Sequence, residues 1–174
     1  MKVDYAQVLE ACKRNDADAQ RILYEEFSPS MLGIGIRYLK SRDEAQDLLH
    51  DAFIKVFEKI KEVKNPAALP AWMHRVMVTT ILSYLRESKA LTYVDTDTLQ
   101  DAEQYRMPLD TDGYELDTIL EAINTLPDAY RTVFNMREVD EMEFADIAKA
   151  LGIKEVTVRT NLIRARKLLR TKLQ

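Results

Sequence analysis

The sequence predicts an all-α protein built from two small helical domains. Three observations carry that prediction: four glycines and five prolines in 174 residues, a hydrophobic content of 47% that recurs at helical spacing, and no βαβ pattern in the N-terminal half. A strongly acidic stretch separates the halves.

In chain order, helices are expected from about Asp4 to Arg14, Asp18 to Leu39, Ser41 to Val63 and Pro66 to Glu87. Ser41 with Glu44 forms a capping box, and Asn65 before Pro66 gives a second start signal. The third helix has a main stripe of Ala45, Leu48, Leu49, Ala52, Val56, Ile60 and Val63, yet Ile54 and Phe57 fall off it among Asp47, Asp51, Glu58 and Lys61. Apolar groups on a charged face suggest a partner surface, with burial under a neighbouring helix the equal alternative.

The fourth helix is apolar almost all round, except for a narrow stripe of Arg75, Thr79, Ser83 and Arg86 headed by Trp72. An aromatic ring, a cation and hydroxyls in line suit single-stranded nucleic acid. Taken alone, the stripe is read more simply as a buried Trp beside a thin solvated strip.

From about Ser88 to Gly113 no apolar period is sustained, and this stretch is the expected interdomain linker. Between Leu91 and Asp117 eight acidic residues oppose Arg106 alone, a net of −7. The whole chain carries −4, so everything else sums to +3. Such a linker could mask basic surfaces as a charge mimic of DNA, although its composition is better matched to keeping the chain soluble and extended.

The C-terminal stretch from Glu143 to Leu173 reads as a helix-turn-helix. Ala145, Ile147, Ala148 and Leu151 form a short amphipathic helix, Gly152 can end it in a left-handed conformation, and a longer helix starts near Lys154. On the longer helix Val158, Leu162, Ala165 and Leu169 make one stripe, while Arg159, Thr160, Ile163, Arg164, Lys167 and Arg170 lie opposite. From Lys149 onward eight cations face Glu155 alone, a net of +7. A lone basic helix is as often a solvated face, but the preceding turn favours entry into a major groove, where Ile163 could meet a thymine methyl.

No apolar run approaches membrane-spanning length and no charged-then-apolar leader is present, so a cytoplasmic protein is expected. His50 and His74 stand 24 residues apart without metal-spaced partners, there is no GxxxxGK loop, and Cys12 has no base nearby in sequence. An enzyme, a metal site, a cofactor and a small-molecule substrate are therefore not expected.

The segments "DEAQDLLHDAFIKVFEKI", "LPAWMHRVMVTTILSYLRESK", "LPDAYRTVF" and "TVRTNLIRAR", in this order around an acidic linker, resemble an extracytoplasmic-function (ECF) sigma factor of the sigma-70 family. The resemblance spans nearly the whole chain. It implies a sigma region 2-like domain over residues 1–87, a linker over 88–113 and a region 4-like helix-turn-helix domain over 114–174. The first would dock on bacterial core RNA polymerase through Asp51, Phe53, Ile54 and Phe57, and would read the non-template strand of the minus-10 promoter element with the Lys64 to Pro70 loop, Trp72, Arg75, Thr79, Ser83 and Arg86. The second would sit on minus-35 duplex and touch the polymerase flap. Its Arg159, Thr160, Ile163 and Arg164 would face bases, Lys154, Arg166 and Lys167 phosphates, and Thr157 would belong to the same minus-35 surface. An anti-sigma factor is a further implied partner.

The chain departs from that family's usual pattern at several positions. Thr79 stands for Asn and Ser83 for Asp in the minus-10 helix, His50 for Gln on the polymerase face, Glu141 for Gly before the helix-turn-helix, and Asn161 for Arg in the recognition helix. The first two imply an unusual minus-10 preference, because Thr has one hydroxyl where Asn offers a donor and an acceptor. Two other readings stay open: a stand-alone helix-turn-helix regulator, and a degenerate sigma-like adaptor that binds polymerase without reading promoters.

Overall fold

Each helix expected in the N-terminal half forms in the computed structural model, which describes residues 2–88, 91–93 and 109–174. The chain divides into two units, residues 1–84 and 85–174, with the boundary inside the fourth helix rather than at its end. Most of the acidic segment lies outside the described residues, and so does the charge-mimic reading of it. Among the described residues there are helices and turns but no strand.

Local capping decides where the helices start. The Asp4 carboxylate accepts from the amides of Ala6 (3.0 Å) and Gln7 (3.2 Å) to open α1 (Tyr5–Lys13), and Asp16 accepts from Ala19 (2.8 Å) to open α2 (Ala17–Tyr38). Asn15 makes the sharp turn between them at φ 60°, a left-handed conformation that Asn tolerates. Ser41 Oγ accepts from Glu44 N at 3.3 Å to open α3 (Arg42–Lys59). The expected capping box is only half made, because Glu44 Oε1 instead accepts from the Tyr84 hydroxyl at 2.7 Å. A tertiary bond from the fourth helix has taken the side chain that would have closed the box.

The third helix ends sooner than its apolar pattern implies. Ile60–Glu62 tightens into a 3₁₀ turn, and Asn65 caps a second one at Pro66–Ala68 by accepting from Ala67 N at 3.0 Å. Only then does α4 begin (Leu69–Glu87). Ile60 and Val63 stay buried, so the apolar period continues through a backbone that has changed form.

The core of the first unit is made by Leu9, Leu23, Met31, Tyr38, Val56, Met73, Met77 and Ile81, all essentially inaccessible. Gly35 on α2 permits the closest approach: a Cβ there would fall 2.9 Å from Ala45 Cβ on α3 and 3.1 Å from Met77 Cε on α4. Contact at this distance between three helices is possible only without a side chain.

The second unit packs α5 (Leu116–Asn124), α6 (Asp128–Phe134) and α7 (Phe144–Leu151) against α8 (Glu155–Leu173). Val158, Leu162, Ala165 and Leu169 form its buried stripe, as the helical period predicts. Arg131, only 1% exposed, donates to Leu126 O at 2.7 Å and to the Asp128 carboxylate, tying the α5–α6 turn from inside. Between α6 and α7 the chain runs through a π-helical turn, Asn135–Val139. Gly152 at φ 67° ends α7, with Ile153 N bonded back to Ala148 O at 3.0 Å.

Candidate nucleic-acid interface

On α3 the charged face carries Asp51 and Ile54 exposed, Ile54 at 58%, with Phe57 half-buried beside them. Phe53 does not share that surface. At 3% exposure it lies between the rings of Tyr24 (centroids 4.7 Å apart) and Phe57 (5.9 Å), so its role is to support the face from beneath. The helical period sets Ile54 opposite the apolar stripe and leaves Phe53 at its margin, and the Tyr24 ring then closes Phe53 off from solvent.

Along α4, Arg75, Thr79 and Arg86 are exposed, and Trp72 and Ser83 half-buried, on a helix whose other sides are largely closed. Trp72 is therefore accessible in part rather than a core residue, against the simpler reading of the stripe. The Thr79 hydroxyl donates to Arg75 O at 2.7 Å, which commits its proton and leaves oxygen lone pairs toward solvent. Thr80, one position on, is buried, donates to Val76 O at 2.7 Å and accepts from Lys55 Nζ at 3.4 Å. Tyr84 fastens the helix to α3, and its hydrogen bond to Glu44 holds the phenol above its ordinary pKa, with desolvation and the charges of Glu44 and Asp47 acting in the same direction. Lys64 stands exposed in the loop ahead of α4.

On α8 the expected minus-35 set separates into two groups. Lys154, Arg159, Arg164 and Lys167 are exposed and Ile163 half-buried. Thr157, Thr160 and Arg166 are buried, at 4%, 3% and 7% exposure. The Thr160 hydroxyl donates to Val156 O at 2.9 Å, and Asn161 Nδ2 donates to Thr157 O at 2.7 Å, so both polar side chains are used along the helix itself. Arg166 turns inward to Glu138 on the π-helical turn, donating from Nε at 3.0 Å and from Nη2. The period places Arg166 near the cationic side of the wheel, but it cannot reveal an acid 28 positions away.

A second feature was invisible in the sequence. The guanidinium of Arg159 lies 4.0 Å, and that of Arg137 4.5 Å, from the centroid of the Phe144 ring, the first residue of α7. Each cation has one carboxylate at 3.8 Å, Glu155 for Arg159 and Glu143 for Arg137. Arg137 Nη1 also donates to Met142 O at 2.8 Å. Neighbouring Glu141 lies in the left-handed region at φ 54°. No group of three or more His, Cys, Asp or Glu residues suited to a metal occurs among the described residues, and no described helix is long and apolar enough to cross a membrane.

Residues 23–90 match the family model for sigma-70 region 2, and residues 116–169 match that for sigma-70 region 4. The chain is 28% identical over 140 residues to the RNA polymerase sigma factor SigV of Bacillus subtilis, covering 80% of this chain and 82% of that one. It is 25% identical over 178 aligned positions to the ECF RNA polymerase sigma-E factor of Haemophilus influenzae, covering 96% and 94%. Among solved structures it is similar to the sigma factor RpoE in complex with the anti-sigma factor NepR from Bartonella quintana, with a TM-score of 0.55 and 19% identity over 88% of this chain and 97% of that one. At that identity the likeness is one of fold.

Proposed function

Since the chain belongs to the sigma-70 family, in its extracytoplasmic-function group, we propose how its surfaces share the work of a sigma factor that brings RNA polymerase to promoters. Asp51, Ile54 and the outer edge of Phe57 form the docking face for core polymerase, with Phe53 behind them. Burying Ile54 contributes at ~25 cal/mol per Å² of apolar surface, and the surrounding charges set orientation.

The α4 stripe captures the separated non-template strand at the minus-10 element. Trp72 supplies a stacking ring, each stacked base contributing about 1–3 kcal/mol. Arg75 and Arg86 hold phosphate, and Thr79 and Ser83 touch base edges. Unstacking a base costs a few kcal/mol, and capture on α4 offsets that cost only where sequence fits. Recognition and strand opening are then one free-energy term. The exposed cations of α8, Lys154, Arg159, Arg164 and Lys167, anchor the minus-35 duplex, with Ile163 toward a base edge.

On this reading the protein makes and breaks no bond itself, acts in the cytoplasm with polymerase, and is held by an anti-sigma factor when idle. The observation that carries the reading is the line of accessible Trp72, Arg75 and Thr79 along a helix whose opposite side, with Leu69, Met73, Met77, Ile81 and Leu85, is buried. Its test is co-elution of the purified chain with bacterial core RNA polymerase on size exclusion, beside Ile54→Asp, which changes an exposed residue and should leave the thermal melt unchanged. Wild-type binding that the variant loses supports the docking face. A wild type that never binds, in the presence or absence of promoter DNA, overturns the reading; binding without promoter-dependent transcription reduces it to an adaptor.

A further inference from the structure

Arg159 and Arg166 lie on one helix, but they are held in opposite ways. Glu138 occupies the edge of the Arg166 guanidinium, bonding Nε and Nη2. Phe144 holds Arg159 differently, with the guanidinium carbon over the ring, 4.0 Å from its centroid. A guanidinium laid flat on a ring makes this contact without using its five N–H donors, which radiate in its own plane. Glu155, at 3.8 Å, lies beyond hydrogen-bonding distance of Arg159, and among the described residues no acceptor bonds those donors.

We propose that Phe144 is the positioning residue for Arg159, fixing the plane of a guanidinium whose donors are left for duplex DNA. This inference rests on the reading of α8 as the minus-35 helix. Phe144 itself, half-buried at the start of α7, does not need to touch DNA. Its ring restricts a side chain that otherwise samples many rotamers, so less freedom is lost when the fork meets a guanine edge or a phosphate. Arg137 shares the ring at 4.5 Å, and its bond to Met142 O pins it to the turn ahead of α7. The ring is thereby held between the turn and the recognition helix. The function of the Phe is a fixed angle, for which an aliphatic residue of similar size cannot substitute.

The experiment selects duplexes from a pool randomised through the minus-35 position, using the full-length protein assembled with core polymerase, and sequences the bound fraction. Arg159→Ala, Phe144→Leu, Phe144→Tyr, the double variant Phe144→Leu with Arg159→Ala, and Arg164→Ala are compared with wild type. Phe144→Leu is expected to weaken the same base preference that Arg159→Ala removes, by about two- to fivefold, the range of an exposed cation–π contact. Phe144→Tyr is expected to retain it, and the double variant to resemble Arg159→Ala. A Phe144→Leu protein that melts as wild type and keeps the full preference overturns the proposal. So does loss of preference in Phe144→Leu at positions unrelated to Arg159, or equal loss in Phe144→Tyr. If Arg159→Ala changes nothing while Arg164→Ala does, the positioning role fails and the α8 reading stands; if neither matters, the α8 reading fails as well.

Discussion

Arg166 reaches back from α8 to Glu138 and is bonded to it by two nitrogens, one of them at 3.0 Å. A cation that the family resemblance assigns to phosphate instead fastens α8 to the π-helical turn. Both side chains are largely shielded, so the pair is subject to little screening, and releasing it would leave a charge with few partners. Arg166→Gln should therefore cost about 1.5–3 kcal/mol in urea unfolding, the range for hydrogen bonds to charged groups. It should leave the salt dependence of DNA binding unchanged. Lys154→Gln should do the reverse, lowering the log–log salt slope by about one with little loss of stability. A slope that falls equally in both variants would return Arg166 to the DNA surface.

The helices of the first unit could be read from sequence because their signals are local: Asp4, Asp16, Ser41 and Asn65 each cap the residues that immediately follow. The stripes of α3, α4 and α8 were equally legible, since period alone separates Val158 or Met77 from Arg159 or Arg75. What could not be read depends on partners distant in sequence. Glu44 closes no capping box because Tyr84, 40 positions on, takes its carboxylate. The period sets Ile54 opposite the α3 stripe but leaves Phe53 at its margin, and the Tyr24 ring, distant in sequence, is what closes Phe53 off. Thr157, Thr160 and Arg166 were expected on DNA and are buried, while Phe144, never singled out, holds a cation in place. The aromatic at the first position of α7, two residues after Met142 and seven after an Arg, was the only available signal.

Glu141 adopts a left-handed backbone where a side chain costs free energy. Glu141→Gly should stabilise the second unit by about 1 kcal/mol, unless the added freedom of the unfolded glycine cancels part of the gain. The control is Gly152, at φ 67° and with nothing within 4 Å of an added Cβ, where Gly152→Ala meets backbone strain alone and should destabilise by about 1 kcal/mol. Thermal unfolding of the two variants should move in opposite directions, by several degrees each. Equal destabilisation would mean that Glu141 makes a compensating contact.

Gly35 presents the opposite case, with unexceptional backbone but no space. A methyl at 2.9 Å from Ala45 Cβ forces α2 and α3 apart, and Gly35→Ala should cost about 1–3 kcal/mol through overpacking. Adding Ala45→Gly removes the facing methyl and should recover part of that loss, although a glycine inside α3 carries its own cost of roughly 1 kcal/mol. A double variant no more stable than Gly35→Ala would place the strain on Met77 Cε, the next atom at 3.1 Å.

Cys12, the one thiol of the chain, is buried in the first unit. Burial, assisted by the charge of Asp16, raises its pKa above the ordinary 9.0. The folded chain thus holds the thiol proton more tightly than the unfolded one. The associated stability is complete below pH 9 and is lost as pH rises past the folded value. At pH 8 a disulfide reagent should modify native Cys12 at least roughly 100-fold more slowly than in urea, with the rate following opening of the first unit. Gly35→Ala should accelerate it and Glu141→Gly should not. Rapid native labelling would show that α1 opens on its own.

Thr79 offers nucleic acid an acceptor and no donor, because its hydroxyl proton is directed to Arg75 O at 2.7 Å. A base that meets it must bring the hydrogen, as an exocyclic amine or a ring N–H does. An amide at the same place can both give and accept, so Thr79→Asn should change which base is preferred at one minus-10 position rather than merely raise affinity. Thr79→Ser retains the same back-bond and should keep the wild-type preference; Thr79→Val retains the shape without the oxygen and should flatten it, by about five- to thirtyfold if a bond of 1–2 kcal/mol is lost. Transcription by the reconstituted holoenzyme from templates randomised through the minus-10 element measures all three. The identical preferred base in the Asn and wild-type proteins would mean that strand capture proceeds through Trp72 and the loop before α4, with Thr79 a bystander on the stripe.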